Sequence, residues 1–156
     1  APAFEYFDAA SLPTVADGGV AACVIAGAAF GKTSPVDLVS DWFYAEVRLK
    51  AGASAPLDAD HEERGVYVVE GSVTIRGESF AAPQLLVFKP GVPVTVTAPS
   101  GARLMFLGGA PVGARHIWWN FVSSRPERIE QAKADWKAGR FAAVPGETEF
   151  IPLPEK

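Results

Sequence analysis

The sequence predicts an all-β sandwich or barrel followed by one C-terminal α-helix, and three observations lead to this fold class. Between residues 20 and 110, short apolar runs are separated by glycine and proline at roughly the eight- to twelve-residue spacing of antiparallel strands. Residues 41–52 alternate polar and apolar side chains, as a sheet with one buried side requires. After Pro126 the apolar period lengthens to that of a helix. A chain of 156 residues fits a single domain of this class.

The clearest strand pattern lies in residues 41–52. The face expected to be buried carries Phe43, Ala45, Val47 and Leu49, and the opposite face carries Trp42, Tyr44, Glu46 and Arg48. Residues 65–77 predict two strands folded about Glu70-Gly71, with a further corner at Arg76-Gly77. More strands are expected at similar spacing in the segments VAACVIAG, QLLVFKPG, VPVTVTAPSG and ARLMFLGG.

A helix is predicted after the strands, within residues 124–139. Ser124 precedes Glu127 by three residues, which is the spacing of a capping box. Gly139 is placed to end the helix in the left-handed conformation. The apolar stripe, expected to pack on the barrel, consists of Ile129, Ala132 and Trp136.

The composition excludes several classes of protein. A hydrophobic content of 49% against 21% charged residues is globular rather than disordered. The net charge of -4 argues against non-specific binding to nucleic acid, which needs clustered cations. No apolar run approaches the roughly 20 residues of a membrane span. The single cysteine, Cys23, excludes an internal disulfide; it is predicted to be a buried thiol, and a cytoplasmic location is expected.

Several segments together resemble one protein family. GVYVVEG, followed about twenty residues later by FKPGVPV, resembles the two-motif layout of the cupin superfamily. The segment FLGGAPVGARHIWWNFVSSRPERIEQAKADWKAGRF, with HEERGVYVVEG before it and PGETEFIPLP after it, resembles the C-terminal half of the pirin family. The resemblance runs from about Phe4 to Pro154 and implies a cupin double-stranded β-helix, a jelly-roll-like barrel, with one C-terminal helix. The expected divisions are a linker or N-terminal extension in 1–15, the barrel in 16–122, and the helix and extended tail in 123–156.

The resemblance also carries implications for function. Pirin-like proteins are usually two cupin barrels in one chain, and their iron site belongs to the N-terminal barrel. Some members are quercetin dioxygenases, and others are iron-binding transcriptional cofactors. The iron-bearing barrel has no counterpart in these 156 residues, so we expect the chain to be a piece of a longer protein. The expected partner is that N-terminal barrel or a second copy of this chain, and a homodimer is a reasonable expectation.

The metal-binding motifs of cupins are substituted here. When the first motif is anchored on Gly71, Arg64 stands where the glutamate ligand is expected. An arginine keeps its proton at ordinary pH, so it repels a cation. The two histidine positions fall on Leu57 and Ala59, or on Asp58 and Asp60, and the second motif offers Val94. The chain is therefore predicted to hold no cofactor of its own.

Another interpretation retains a metal. Asp58, Asp60 and His61, together with Glu62 or Glu63, could form a site in a loop, because carboxylate and imidazole groups bind divalent ions. Against it, His61 is out of register by one residue, which in a strand would point it to the opposite face.

Two further groups of residues suggest a role in packing or recognition. Around the tryptophan pair, the sequence favours either packing under the helix or contact with a second barrel. The interface candidates are His116, Trp118, Trp119 and Asn120. An ion pair between Arg64 and Glu46 near the barrel mouth is also considered. Plain core or pocket lining is expected of Phe43, Val66, Val68, Phe88 and Val94.

The predicted function is a pirin-like C-terminal cupin domain that is non-catalytic and metal-free alone. It would support an iron-bearing N-terminal barrel. The alternatives are a metal-dependent cupin enzyme resembling quercetin 2,3-dioxygenase, and a regulatory module that binds a protein or a small ligand.

Overall fold

The computed structural model describes residues 5–143 and 145–154, and these residues form two compact units that divide between Pro111 and Val112. The first unit contains eleven described strands: β1 Thr14–Asp17, β2 Val20–Ala26, β3 Ala28–Ala29, β4 Lys32–Thr33, β5 Trp42–Leu49, β6 Ser54–Leu57, β7 Glu63–Ile75, β8 Glu78–Ala81, β9 Gln84–Phe88, β10 Val94–Thr97 and β11 Ala102–Gly109. The second unit contains β12 His116–Trp118, β13 Phe121–Ser123 and helix α1 Pro126–Lys137. The prediction of an all-β fold with one C-terminal helix is confirmed for the described residues. None of the helices in these ranges is long and apolar enough to span a membrane.

An antiparallel sheet forms most of the first unit. Its strand order is β1-β2-β5-β11-β7-β10-β6, and β8 and β9 both pair with the long strand β7. Strand β9 pairs with residues 64–68 of β7, and β8 pairs with residues 72–75. The two strands therefore occupy different halves of β7.

The inner side of this sheet forms the hydrophobic core. Strand β5 alternates as predicted, since Phe43, Ala45, Val47 and Leu49 are buried. The largest fully buried side chains are Phe106, Leu104, Val24, Val47, Val66, Val68, Val73 and Val96. Burying a valine, leucine or phenylalanine stabilises the fold by about 1.5–3 kcal/mol. Cys23 is only partly buried, because it alternates with the inward residues Ala22 and Val24, so its predicted burial was wrong.

Strand β7 is continuous where the sequence predicted a hairpin. Glu63–Ile75 forms one strand, and the register against β11 shifts at Arg103/Leu104. Gly71 has a φ of +80°, and a Cβ there would overlap the carbonyl oxygen of Gly101. The glycine therefore permits a bend within the strand, and the predicted turn at Glu70-Gly71 is wrong.

The next predicted corner is confirmed. Arg76 and Gly77 have φ values of +51° and +84° and join β7 to β8 with Ile75 opposite Glu78. Positive φ at both central residues is typical of the type I′ turn, whose twist matches that of the flanking strands.

Helix α1 in the second unit ends as predicted, but its N-cap differs from the predicted one. Its N-cap is Arg125, which makes no side-chain capping bond, so Ser124 is not the cap. Pro126 occupies the first turn, where its missing N–H costs nothing. Gly139 has a φ of +64° and donates to the carbonyl of Trp136, while Arg140 donates to that of Asp135. These two bonds form a Schellman motif.

Candidate functional site

A buried arginine lies inside the barrel where a cupin metal ligand was expected. Arg64 is on β7 with Val66 and Val68, whose side chains also face the core. Only 3% of Arg64 is exposed. A guanidinium in such a place must find hydrogen-bond acceptors, because burying an unpaired charge is costly.

Backbone carbonyl groups from two segments supply these acceptors. The Nη1 atom donates to the carbonyl oxygens of Asp58 at 2.7 Å and Leu57 at 3.4 Å. The Nη2 atom donates to those of Lys89 and Val92, both at 2.9 Å. One side chain thus links the end of β6 with the loop between β9 and β10. The Nε atom of Arg64 is buried without a hydrogen-bond partner in the described part of the chain.

The ion pair considered between Arg64 and Glu46 is absent, because the two side chains have other partners. Glu46 points to the other side of the sheet, where its Oε1 atom accepts from Arg103 Nε at 2.7 Å and lies 2.9 Å from Arg48 Nη2. The hydrogen bond from Arg103 lowers the pKa of Glu46, and the positive charge of Arg48 adds to this effect. The strand period explains the difference, since Glu46 alternates with the inward residues Ala45 and Val47.

A glycine makes room for the arginine. A Cβ atom on Gly108 would lie 2.6 Å from Phe43 Cε1, 2.9 Å from the carbonyl oxygen of Glu63 and 3.1 Å from Arg64 Cγ. Gly108 and Gly109 both lie in strand β11, opposite Phe43 and Trp42. Both positions require glycine, because a Cβ atom would come too close to neighbouring atoms.

A cavity of about 370 Å³ opens in the same unit. It has an aromatic wall of Phe30, Phe43 and Phe106. Its polar lining includes Lys32, Thr33, Asp58, Asp60 and His61. The structure therefore places the three metal-ligand candidates, Asp58, Asp60 and His61, at one cavity. The alternation in ARLMFLGG is enough to place Phe106 on the inner side of its strand. Phe30 and Lys32 lie in a turn and a two-residue strand, whose sequence carries no clear pattern.

His61, which lines this cavity, contacts two neighbouring side chains. Its Nε2 atom lies 3.1 Å from Asp41 Oδ1, and its ring centroid lies 5.2 Å from that of Phe43. His61 precedes β7, which begins at Glu63, so the predicted one-residue slip within a strand does not apply to it. Among residues 5–143 and 145–154, no three His, Cys, Asp or Glu side chains come together closely enough to hold a metal ion.

The other predicted lining residues belong to the core, as Val66, Val68 and Val94 do, or pack against it, as Phe88 does. Val66 and Val68 are fully buried in the core. Phe88 and Val94 line a separate groove of about 570 Å³ beside β8 and β9. Small barrels fill most of their interior with side chains, and Val66 and Val68 have this role here.

The tryptophan pair lies in an aromatic cluster of the second unit. The Trp119 ring is 5.2 Å from that of Trp136 on α1, and Lys133 Nζ lies 4.4 Å from the Trp118 ring. Trp136 Nε1 also donates to the carbonyl of Ile151 at 2.8 Å. The cluster consists of Trp118, Trp119, Phe121, Trp136, Phe141 and Phe150. These contacts hold the β12–β13 hairpin, the helix and the tail together; the interface role of His116, Trp118, Trp119 and Asn120 stays a prediction.

Comparison with known proteins defines the class of this barrel. The model of the pirin C-terminal cupin domain matches residues 44–142. A pirin-like protein from Caulobacter vibrioides is 46% identical over 156 residues, which are 99% of this chain and 54% of that protein. The first unit is thus a cupin-type domain, as its motifs predicted. The chain belongs to the pirin family, and the resemblance found in the sequence is confirmed.

Two further proteins extend the comparison. A Pseudomonas aeruginosa protein, provisionally named a quercetin 2,3-dioxygenase, is 34% identical over 89% of this chain and 44% of its own length. The crystal structure of quercetin 2,3-dioxygenase from Acinetobacter baumannii matches 93% of this chain and 52% of that one, with a TM-score of 0.79 and 22% identity. At that identity the match shows the fold alone. The chain spans about half the length of the curated relatives it matches.

Proposed function

We propose that this chain is a metal-free, non-catalytic cupin domain that supports a second, iron-bearing barrel of a pirin-like protein. The observation that carries the proposal is the buried guanidinium of Arg64 and its four backbone acceptors. A permanently charged group inside the barrel repels a divalent cation. The residues present therefore do not fit the iron site of a cupin.

The length of the relatives supports the second part of the proposal. This chain accounts for 54% of the Caulobacter relative and 44% of the Pseudomonas relative, which leaves room for another domain of similar size. Any dioxygenase chemistry of the whole protein is assigned by this proposal to that other domain.

Metal loading tests the proposal directly. The purified chain and its His61→Ala variant would be incubated with ferrous iron or with manganese, desalted and analysed for metal content. We expect less than about a tenth of an equivalent in both proteins, because a site lacking its ligands does not retain metal through desalting. Near one equivalent in the parent chain, lost with His61→Ala, would overturn the proposal in favour of a metal-dependent enzyme.

A second function, binding of a small ligand, is favoured by the cavity beside His61. Its three phenylalanines offer an apolar wall, and its lysine, aspartates and histidine offer polar contacts to one face of a ligand. Thermal denaturation with and without quercetin as a probe tests this function. A rise in melting temperature that His61→Ala and Phe43→Leu both reduce would support it, and an unchanged melting temperature would count against this ligand.

A further inference from the structure

The charged residues that line the cavity beside His61 come from two separate segments of the first unit. Lys32 belongs to the β3–β4 hairpin, in which it pairs with Ala29. Asp58 and Asp60 belong to the loop that follows β6. The same cavity therefore offers one cation and two carboxylates to a ligand.

The turn of the β3–β4 hairpin adds an aromatic ring to the cavity. Phe30 and Gly31 form this turn with φ values of +52° and +69°. A bulky side chain in the left-handed region is uncommon, and such backbone strain is concentrated at sites that bind ligands. The Phe30 ring lies 5.9 Å from that of Phe106, which holds it against the core. The hairpin thus positions an apolar contact close in sequence to Lys32.

The charged lining residues have no charged partners within the protein. Lys32, Asp58 and Asp60 take part in no ion pair in the described part of the chain. His61 differs from them, because its Nε2 atom is already bonded to Asp41. Since Lys32 and the two aspartates share the cavity without pairing to one another, a ligand can contact a cation and a carboxylate at the same time.

The arrangement of charges disfavours a ligand of one sign. A ligand with only a positive charge would meet Lys32, and it would lie near the buried guanidinium of Arg64, which donates to the carbonyl of Asp58. A ligand with only a negative charge would meet the carboxylates of Asp58 and Asp60. Contacts between like charges are the usual means by which a site rejects a ligand. A ligand that carries both charges has a partner for each.

We propose that this cavity binds a free amino acid with an apolar or aromatic side chain. The ammonium group would contact the two aspartates, the carboxylate would contact Lys32, and the side chain would lie against the three phenylalanines. The cavity volume of about 370 Å³ is within the range of small-molecule sites. The proposal rests on the ligand-binding function proposed for the same cavity and names the class of ligand.

Titration calorimetry of the purified chain with four related probes tests the ligand class. L-Phenylalanine carries both charges and an aromatic side chain. 3-Phenylpropionate lacks its ammonium group, phenethylamine lacks its carboxylate, and glycine lacks its side chain. We expect phenylalanine to bind most tightly and each probe that lacks one charge to bind about fivefold more weakly, the upper end of the effect of an exposed ion pair. Glycine should show no binding.

Two variants test the location of the site. Lys32→Met should weaken phenylalanine binding to the level of phenethylamine, because both then lack a partner for a carboxylate. Asp60→Asn should weaken it toward the level of 3-phenylpropionate. Lys137→Met is the matched control, since Lys137 is exposed in the last turn of α1 and does not line the cavity. Thermal denaturation of every variant checks that each is folded.

The other outcomes separate this proposal from the function on which it rests. Binding of 3-phenylpropionate or phenethylamine as tight as that of phenylalanine would overturn the zwitterionic class. Phenylalanine binding that resists both Lys32→Met and Asp60→Asn would overturn the site. If phenylalanine does not bind, the amino acid is wrong; a rise in melting temperature with quercetin that depends on His61 and Phe43 would then leave ligand binding in this cavity standing.

Discussion

The Nη1 atom of Arg64 donates a 2.7 Å hydrogen bond to the backbone carbonyl of Asp58, which ties the rim of the cavity to the interior of the barrel. The same guanidinium reaches Lys89 and Val92 on the opposite side. A position that the family's motif gives to a metal ligand is thus occupied by a fixed organic cation. A bound metal ion and this guanidinium would each join separate segments of the barrel, but the guanidinium does so through backbone oxygens alone.

Replacing this arginine should cost stability. Arg64→Met keeps much of the side-chain length but removes the donors, leaving carbonyls buried without partners, and should lower the free energy of unfolding by about 3 kcal/mol. Urea denaturation measures the change. Arg103→Met is the control: its side chain is 40% exposed in an ion pair, so its replacement should cost much less than that of Arg64. If Arg64→Met lost no more stability than this control, water would be able to hydrogen-bond the carbonyl groups in place of the guanidinium.

The position of Arg64 was foreseeable, but its role was not. Counting back from Gly71 placed an arginine at the ligand position, and the period of the strand placed it on the inner side. Its acceptors are backbone atoms of segments up to 28 residues away in sequence, and backbone atoms leave no trace in residue identity. An ion pair with Glu46 could be considered from the sequence but not claimed, and strand alternation points that carboxylate outward.

Gly108 should be intolerant of even one methyl group. The Cβ of Gly108→Ala would crowd Phe43, the carbonyl of Glu63 and Arg64. Overpacking of this kind should lower the free energy of unfolding by about 3 kcal/mol. Gly77→Ala is the control, because Gly77 has open space around it and its φ of +84° leaves only a backbone penalty, about 1 kcal/mol. Equal losses in the two variants, measured by urea denaturation, would contradict the packing argument.

The ion pairs of Glu46 should make stability depend on pH. Its pKa in the folded state lies below its ordinary value of 4.5, chiefly because Arg103 donates a hydrogen bond to it. A carboxyl with a depressed folded pKa contributes stability that is fully present above the unfolded pKa and is lost as the pH falls through the folded pKa. The urea midpoint should therefore fall between pH 5 and pH 3 by less in Glu46→Gln than in the parent chain. Glu62→Gln, which removes an exposed glutamate outside this group, is the matched control variant. A parent-like pH dependence in Glu46→Gln would refute the assignment.

The long strand and the helix start show where local patterns were misleading. Glu70-Gly71 has the composition of a turn, yet pairing on both edges of β7 keeps the strand continuous and uses the glycine for a bend. Ser124 and Glu127 have capping-box spacing, but the helix begins one residue later, with Arg125 as its N-cap. In both places tertiary pairing or backbone geometry, rather than the local pattern, decided the structure. The buried side of β5 and the left-handed Gly139 were predictable because they depend on periodicity and on φ alone.

Trp136 should control the order of the C-terminal tail. Its Nε1 atom donates to the carbonyl of Ile151, and its ring stacks with Phe150 at a centroid distance of 6.1 Å. Trp136→Phe keeps an aromatic ring but removes the donor, which should cost about 1 kcal/mol and raise tail amide exchange about fivefold. Hydrogen exchange of residues 145–154, followed by mass spectrometry, measures this. Trp42→Phe, a substitution outside the aromatic cluster, should leave tail exchange unchanged, whereas unchanged exchange in Trp136→Phe would show that the tail is held by other contacts.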